Sequence, residues 1–76
     1  MEQERCLTSL NIGESAKIKE ILTDTTMKRR LYDLGMIKGT IVECVLKSPA
    51  SDPIAYKIRG AVIALRNEYT NNIKIY

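Results

Sequence analysis

Arg30-Leu31-Tyr32-Asp33-Leu34-Gly35-Met36-Ile37-Lys38-Gly39 is the stretch on which the reading of this chain turns. It reads as the end of a short helix, a glycine stop, and a second glycine that turns the chain into a strand. Just upstream, Thr23-Asp24-Thr25-Thr26 offers a cluster of N-cap oxygens for the orphan amides of a first helical turn. Met27, Leu31 and Leu34 recur at i, i+4 and i+7, one helical stripe, while Lys28, Arg29 and Asp33 fall off it. With Gly35 at C′, Met36 becomes C″ and Leu31 becomes C3. The spacing therefore predicts a Schellman closure in which those two side chains meet. Leu31 and Leu34 are assigned to the core, and Gly35, Gly39 and Gly60 to backbone geometry.

Everything around this helix is β-like. Asn11-Ile12-Gly13-Glu14 favours a turn, and Ser15 to Leu22 reads as a strand, with Ala16 and Ile18 alternating with Lys17 and Lys19. Ile21-Leu22 breaks that period, as at a bulge or strand end. Thr40 to Lys47 is a strand rich in β-branched residues. Ser48-Pro49-Ala50-Ser51-Asp52-Pro53 is a loop, since its prolines and serines break any ladder. Ile54, Tyr56 and Ile58 alternate with Lys57 and Arg59, giving a half-buried strand that turns at Arg59-Gly60. Val62 to Leu65 is a short strand, Arg66-Asn67-Glu68 a turn or single helical turn, and Asn72 to Tyr76 the closing strand. About five short strands with one inserted helix indicate a mainly β protein, a small barrel or sandwich. Residues 1–6 are expected as a loose tail ahead of one domain over residues 7–76.

The chain has 76 residues, enough for one domain and a small core. Its apolar fraction of 45% is that of a globular protein, and its net charge of +3 is mild. The basic excess gathers at Lys17, Lys19, Lys28, Arg29 and Arg30, opposed by Glu20 and Asp24, and is read first as a solvated face. The polar start, Met1-Glu2-Gln3-Glu4-Arg5, is no secretory signal, and no run reaches the roughly 18 apolar residues of a membrane span. The expectation is a soluble cytoplasmic protein with reduced thiols and no direct membrane insertion.

Catalytic chemistry finds little to work with. There is no histidine, so no histidine base, triad or metal ligand. Cys6 and Cys44 lie too far apart for a CxxC-type zinc site, and no GxxxxGK[ST] phosphate loop occurs. Asp24, Asp33, Glu43 and Asp52 are scattered and read as cap, turn or surface carboxylates. The expectation is no catalytic residue, no cofactor and no metal site. Nucleic-acid binding by a small barrel needs aromatic platforms beside basic residues. Trp and Phe are absent, and Tyr32, Tyr56, Tyr69 and Tyr76 do not cluster, so no nucleic-acid partner is expected. Tyr56 and Cys44 are read as buried, Tyr32 as exposed on the helix.

Leu10-x-x-Gly13, Arg30-Leu31-x-x-Leu34-Gly35-Met36-x-x-Gly39-Thr40, Ser48-Pro49, Asp52-Pro53-Ile54, Ile58-Arg59-Gly60 and Ala64-Leu65-Arg66 occur in this order from about residue 7 to 76. In this the chain resembles FeoA, the small cytoplasmic protein of bacterial ferrous iron transport. Ala50-Ser51 departs from the more usual Leu-Gly of its loop. The resemblance implies an SH3-like barrel with the helix inserted after the first long strand. It also implies a non-enzymatic partner of FeoB, the membrane ferrous iron transporter with a cytoplasmic GTP-binding domain. The same barrel occurs at the C-terminus of metal-dependent repressors, whose DNA-binding helices this chain lacks.

Most motif residues are explained by folding alone. What remains for a partner is the surface around the helix and its exit: Arg29, Arg30, Tyr32, Met36 and Ile37, with Lys38 beside them. Met36 and Ile37 are the expected apolar anchors, and Arg29 and Arg30 the charges that steer toward an acidic partner. Competing readings are an RNA- or ribosome-binding barrel and a stand-alone transition-metal sensor built on Cys6, Cys44 and carboxylates. The protein is expected as a monomer or weak homo-oligomer, with the final strand as the edge free to pair.

Overall fold

The computed structural model describes residues 5–76. Six strands, β1 (Arg5–Cys6), β2 (Ser15–Ile21), β3 (Ile41–Lys47), β4 (Ile54–Ile58), β5 (Ala61–Leu65) and β6 (Ile73–Ile75), run antiparallel in the order β1-β6-β2-β3-β4-β5. Helix α1 (Thr25–Asp33) is inserted between β2 and β3, and a short α2 (Asn67–Thr70) precedes β6. A 3-10 turn, Leu7–Ser9, links β1 to the loop before β2. Side chains from β2, β3, β4, β5 and β6, with Leu7, Leu10, Leu31 and Met36, fill one buried cluster, so the sheet curls around a single core. Alternation does this work in β4, where Ile54, Tyr56 and Ile58 point inward.

The helix ends as its sequence dictates. The Met27 N–H donates to Asp24 Oδ1 (2.9 Å), making Asp24 the N-cap. At the other end the Met36 N–H donates to the Leu31 carbonyl and the Gly35 N–H to the Tyr32 carbonyl, both at 2.9 Å, the two bonds of a Schellman motif. Gly35 sits at φ 93°, a conformation an L side chain resists. Leu31 and Met36 both lie fully buried in the core cluster.

The structure corrects several expectations. Arg5 and Cys6, assigned to a loose tail, pair with Ile75 and Lys74 as β1; residues 1–4 of that tail lie outside the described residues. Two residues have no readable period, and their partner β6 supplies the order. The sheet therefore has six strands rather than five. Leu34, assigned to the core, is 42% exposed, because the Schellman reversal places it at the C-cap and swings Met36 inward instead. The final strand is no free edge: β6 lies between β1 and β2, with Ile73 and Ile75 buried. The irregularity in β2 falls between Ile18 and Glu20, and β2 then ends at Ile21. A second bulge lies between Cys44 and Leu46 in β3.

Candidate functional site

The surface that the sequence singles out is set by how α1 leaves toward β3. The Gly39 N–H donates to the Ile18 carbonyl (2.7 Å), and the Ile18 N–H to the Thr40 carbonyl (2.9 Å). Thr40 Oγ1 donates to the Gly35 carbonyl (3.0 Å). These bonds tie the helix exit to β2, leaving residue 37 as the outward step between a buried Met36 and the Gly39 turn. Ile37 is accordingly 46% exposed. An open groove of roughly 570 Å³ runs beside it, lined by Ile37, Lys38, Gly39, Thr40, Ile41 and Arg59. Its apolar side chains are Ile37 and Ile41, both exposed, and its two cations are Lys38 and Arg59.

Arg59 is the residue that sequence reasoning missed. The sequence places it at a strand end, in the Arg59-Gly60 turn and in the Ile58-Arg59-Gly60 motif, none of which assigns it to a partner surface. Arg59 (φ 50°) and Gly60 (φ 86°) form the two-residue connection between β4 and β5, with both residues in the left-handed region. That hairpin tip folds over the helix exit. A Cβ built on Gly35 would stand 2.6 Å from Arg59 Cδ, so the stem of Arg59 lies directly on the helix stop. No local pattern announces a contact between residues 35 and 59. The available signal was the Arg59-Gly60 pair itself, an arginine in a position that favours glycine or asparagine.

The remaining expected residues divide. Arg29 and Tyr32 share a smaller groove on α1 with Thr25 and Lys28, where Lys28 Nζ stands 5.9 Å from the centre of the Tyr32 ring. Arg30 is exposed on the same helix but lines neither groove. Met36, expected as an apolar anchor, is fully buried as the C″ residue of the cap and offers a partner nothing. Among the described residues the exposed apolar side chains at the helix exit are thus Ile37 and Ile41.

Other candidate chemistry is sparse. Cys6 and Cys44 are free thiols, Cys44 buried, and burial raises its pKa. Among the described residues no group of three or more His, Cys, Asp or Glu side chains is placed to hold a metal ion. No helix of the described residues is long and apolar enough to cross a membrane. Tyr56 is fully buried, its hydroxyl without a hydrogen-bond partner, and burial pushes its pKa up to about 12. The nearby Thr70 hydroxyl is engaged with Thr8 Oγ1 at 2.6 Å. Of the other tyrosines, Tyr32 and Tyr76 are exposed and Tyr69 is half-buried.

Comparison with known proteins agrees with this architecture. A family model, the FeoA domain, matches residues 5–76. Over 69 residues the chain is 26% identical to an Fe(2+) transport protein A/Fe(2+) transporter FeoB fusion protein of Porphyromonas gingivalis, a match covering 91% of this chain and 8% of that protein. The chain thus spans less than a tenth of that relative. The solution NMR structure of the FeoA protein from Chlorobium tepidum superposes with a TM-score of 0.90 at 25% identity, over 95% of this chain and 69% of that one. The crystal structure of Stenotrophomonas maltophilia FeoA complexed with zinc, described as a procaryotic SH3 domain protein, gives 0.82 at 25% identity, over 95% and 89% of the two chains. The fold is a small SH3-like barrel, mainly β.

Proposed function

This chain belongs to the FeoA family, a family of ferrous iron transport, and on that premise we propose that it is a binding module that docks on the cytoplasmic region of a FeoB-like transporter. The observation that carries the reading is the helix exit. The Schellman reversal buries Met36 and pushes Ile37 out to 46% exposure, on a groove flanked by Lys38 and Arg59. An apolar side chain rimmed by cations suits a partner surface that offers an apolar socket with acidic neighbours. Arg29 and Arg30 on α1 extend the positive surface and steer the encounter, and Tyr32 offers a broad amphipathic contact beside them. The fusion of a transport protein A with a FeoB transporter in one Porphyromonas gingivalis polypeptide supports this choice of partner. Binding rather than catalysis is the mode, acting in the cytoplasm. Zinc is bound in the Stenotrophomonas maltophilia protein's crystal structure; among the residues described in this chain no group of three or more His, Cys, Asp or Glu side chains is placed to hold a metal ion.

Ile37→Asp tests this directly. Calorimetric titration with the cytoplasmic domain of the cognate transporter should show binding weakened at least about tenfold, the loss of roughly 1.4 kcal/mol. Ile12→Asp, at an exposed residue in the turn before β2, should leave it unchanged. Equal binding by wild type and Ile37→Asp would overturn the proposed face.

A further inference from the structure

The sheet has two ends, and they are not alike. β1, at one end, has two residues among those described and carries Arg5, a charge of the kind that resists pairing at an edge. β5, at the other, pairs with β4 on one side, and among the described residues nothing bonds its second side. Its five residues, Ala61-Val62-Ile63-Ala64-Leu65, carry no charge and no proline. Val62 is 64% exposed, and Ala61 and Ala64 are exposed with it. This edge has none of the devices that keep an apolar strand from pairing with another chain.

We propose that β5 pairs antiparallel with β5 of a second copy of this chain, forming a weak two-fold dimer through a continuous sheet. The register follows from the strand. Pairing all five residues of two antiparallel copies centres the axis on Ile63, placing Val62 opposite the partner's Ala64 and Ala61 opposite the partner's Leu65. A slip of one residue would set outward side chains against inward ones.

In this register the surface is self-complementary. On the outer face of each copy, Leu46, Ala55 and Ala64 form one cross-strand row, and Glu43, Lys57 and Val62 the next. The two-fold joins the first row of one copy to the second row of the other. Ala64 then meets the partner's Val62, and the apolar row is extended with no like charges opposed. Beyond the strand ends, Gly60 falls opposite the partner's Arg66 and Arg59 opposite the partner's Asn67, again without like charges facing. An acidic partner strand would find no cation on β5 to meet it; a second copy finds an uncharged strand like its own. Five paired residues make an interface far below the standard ~1,600 Å², so dissociation falls in the roughly micromolar to millimolar range. Each copy carries a net charge of +3, so added salt should strengthen the dimer.

Sedimentation velocity on the full chain, from about 1 µM to about 1 mM, should show reversible dimerisation that increases with salt. Amide shifts on dilution should concentrate at Ala61 to Leu65. The double variant Val62→Lys with Ala64→Lys sets lysines opposite lysines twice and should be monomeric, as should Val62→Glu with Ala64→Glu. Mixed together, the two should form a heterodimer, a rescue that a folding defect would not produce. A wild-type chain that stays monomeric throughout, or dilution shifts on another surface, would overturn the proposal. So would a dimer that both charge variants retain.

Discussion

Replacing Gly35 by alanine tests whether backbone conformation or side-chain crowding fixes the helix exit. Gly35 sits at φ 93°. Holding an L-residue in the left-handed region costs about 1–2 kcal/mol, while losing glycine's freedom in the unfolded chain returns about 0.4–1 kcal/mol. The net is a destabilisation of roughly 1 kcal/mol. For a chain of 76 residues that lowers the melting midpoint by about 4–8 °C. The new Cβ would also stand 2.6 Å from Arg59 Cδ. That atom belongs to a flexible side chain, so the arginine moves aside and the contact adds little. Gly13, at φ 91° with nothing within 4 Å, isolates the backbone cost. Thermal melts of Gly35→Ala, Gly13→Ala, Arg59→Ala and the Gly35→Ala/Arg59→Ala pair complete a cycle. The two glycine variants should lose similar amounts, and Arg59→Ala should restore less than about half of the Gly35→Ala loss. An unchanged midpoint for Gly35→Ala would refute the cap. Full restoration by Arg59→Ala would show that crowding, not φ, sets the requirement.

Three further outcomes follow from the same structure. Asp24→Ala removes the acceptor for the Met27 amide and should cost about 1 kcal/mol in a melt or urea titration, with Asp24→Asn nearer wild type. Tyr56→Phe deletes a buried hydroxyl that makes no hydrogen bond, so its midpoint at neutral pH should equal or exceed that of wild type. Because the folded pKa of Tyr56 is raised from 10.0 to about 12, the folded state holds the proton more tightly. Stability from this group is complete below pH 10 and falls as pH rises toward 12, so Tyr56→Phe should flatten the alkaline limb of a stability–pH curve.

Local signals carried most of this architecture. Asp24, the Met27 and Leu31 spacing and Gly35 place α1 within a residue or two, because caps and periodicity are physics of neighbouring residues. The alternation of Ile54, Tyr56 and Ile58 gives β4 and its buried face. Non-local facts did not read out. That Arg5 and Cys6 form a strand depends on β6, some seventy residues away. That β6 lies inside the sheet and β5 at its edge is a matter of pairing order, on which hydrophobic pattern is silent. At the candidate site, the exposure of Tyr32 followed from its place off the Met27 stripe; that of Ile37 did not, because a residue just past the cap packs under the turn as readily as it points outward. The burial of Met36 was not legible, because the closure that identified it as C″ also carries it into the core. Arg59 joins the site only through the fold of a distant hairpin.

The most direct test of the account is an amide shift map of the isotope-labelled chain titrated with the cytoplasmic GTP-binding domain of its cognate FeoB-like transporter. The account predicts shifts that cluster at Arg29, Arg30, Tyr32, Ile37, Lys38 and Arg59, and that vanish in Ile37→Asp. Shifts confined to the β5 edge, or no shifts at saturating partner, would contradict it.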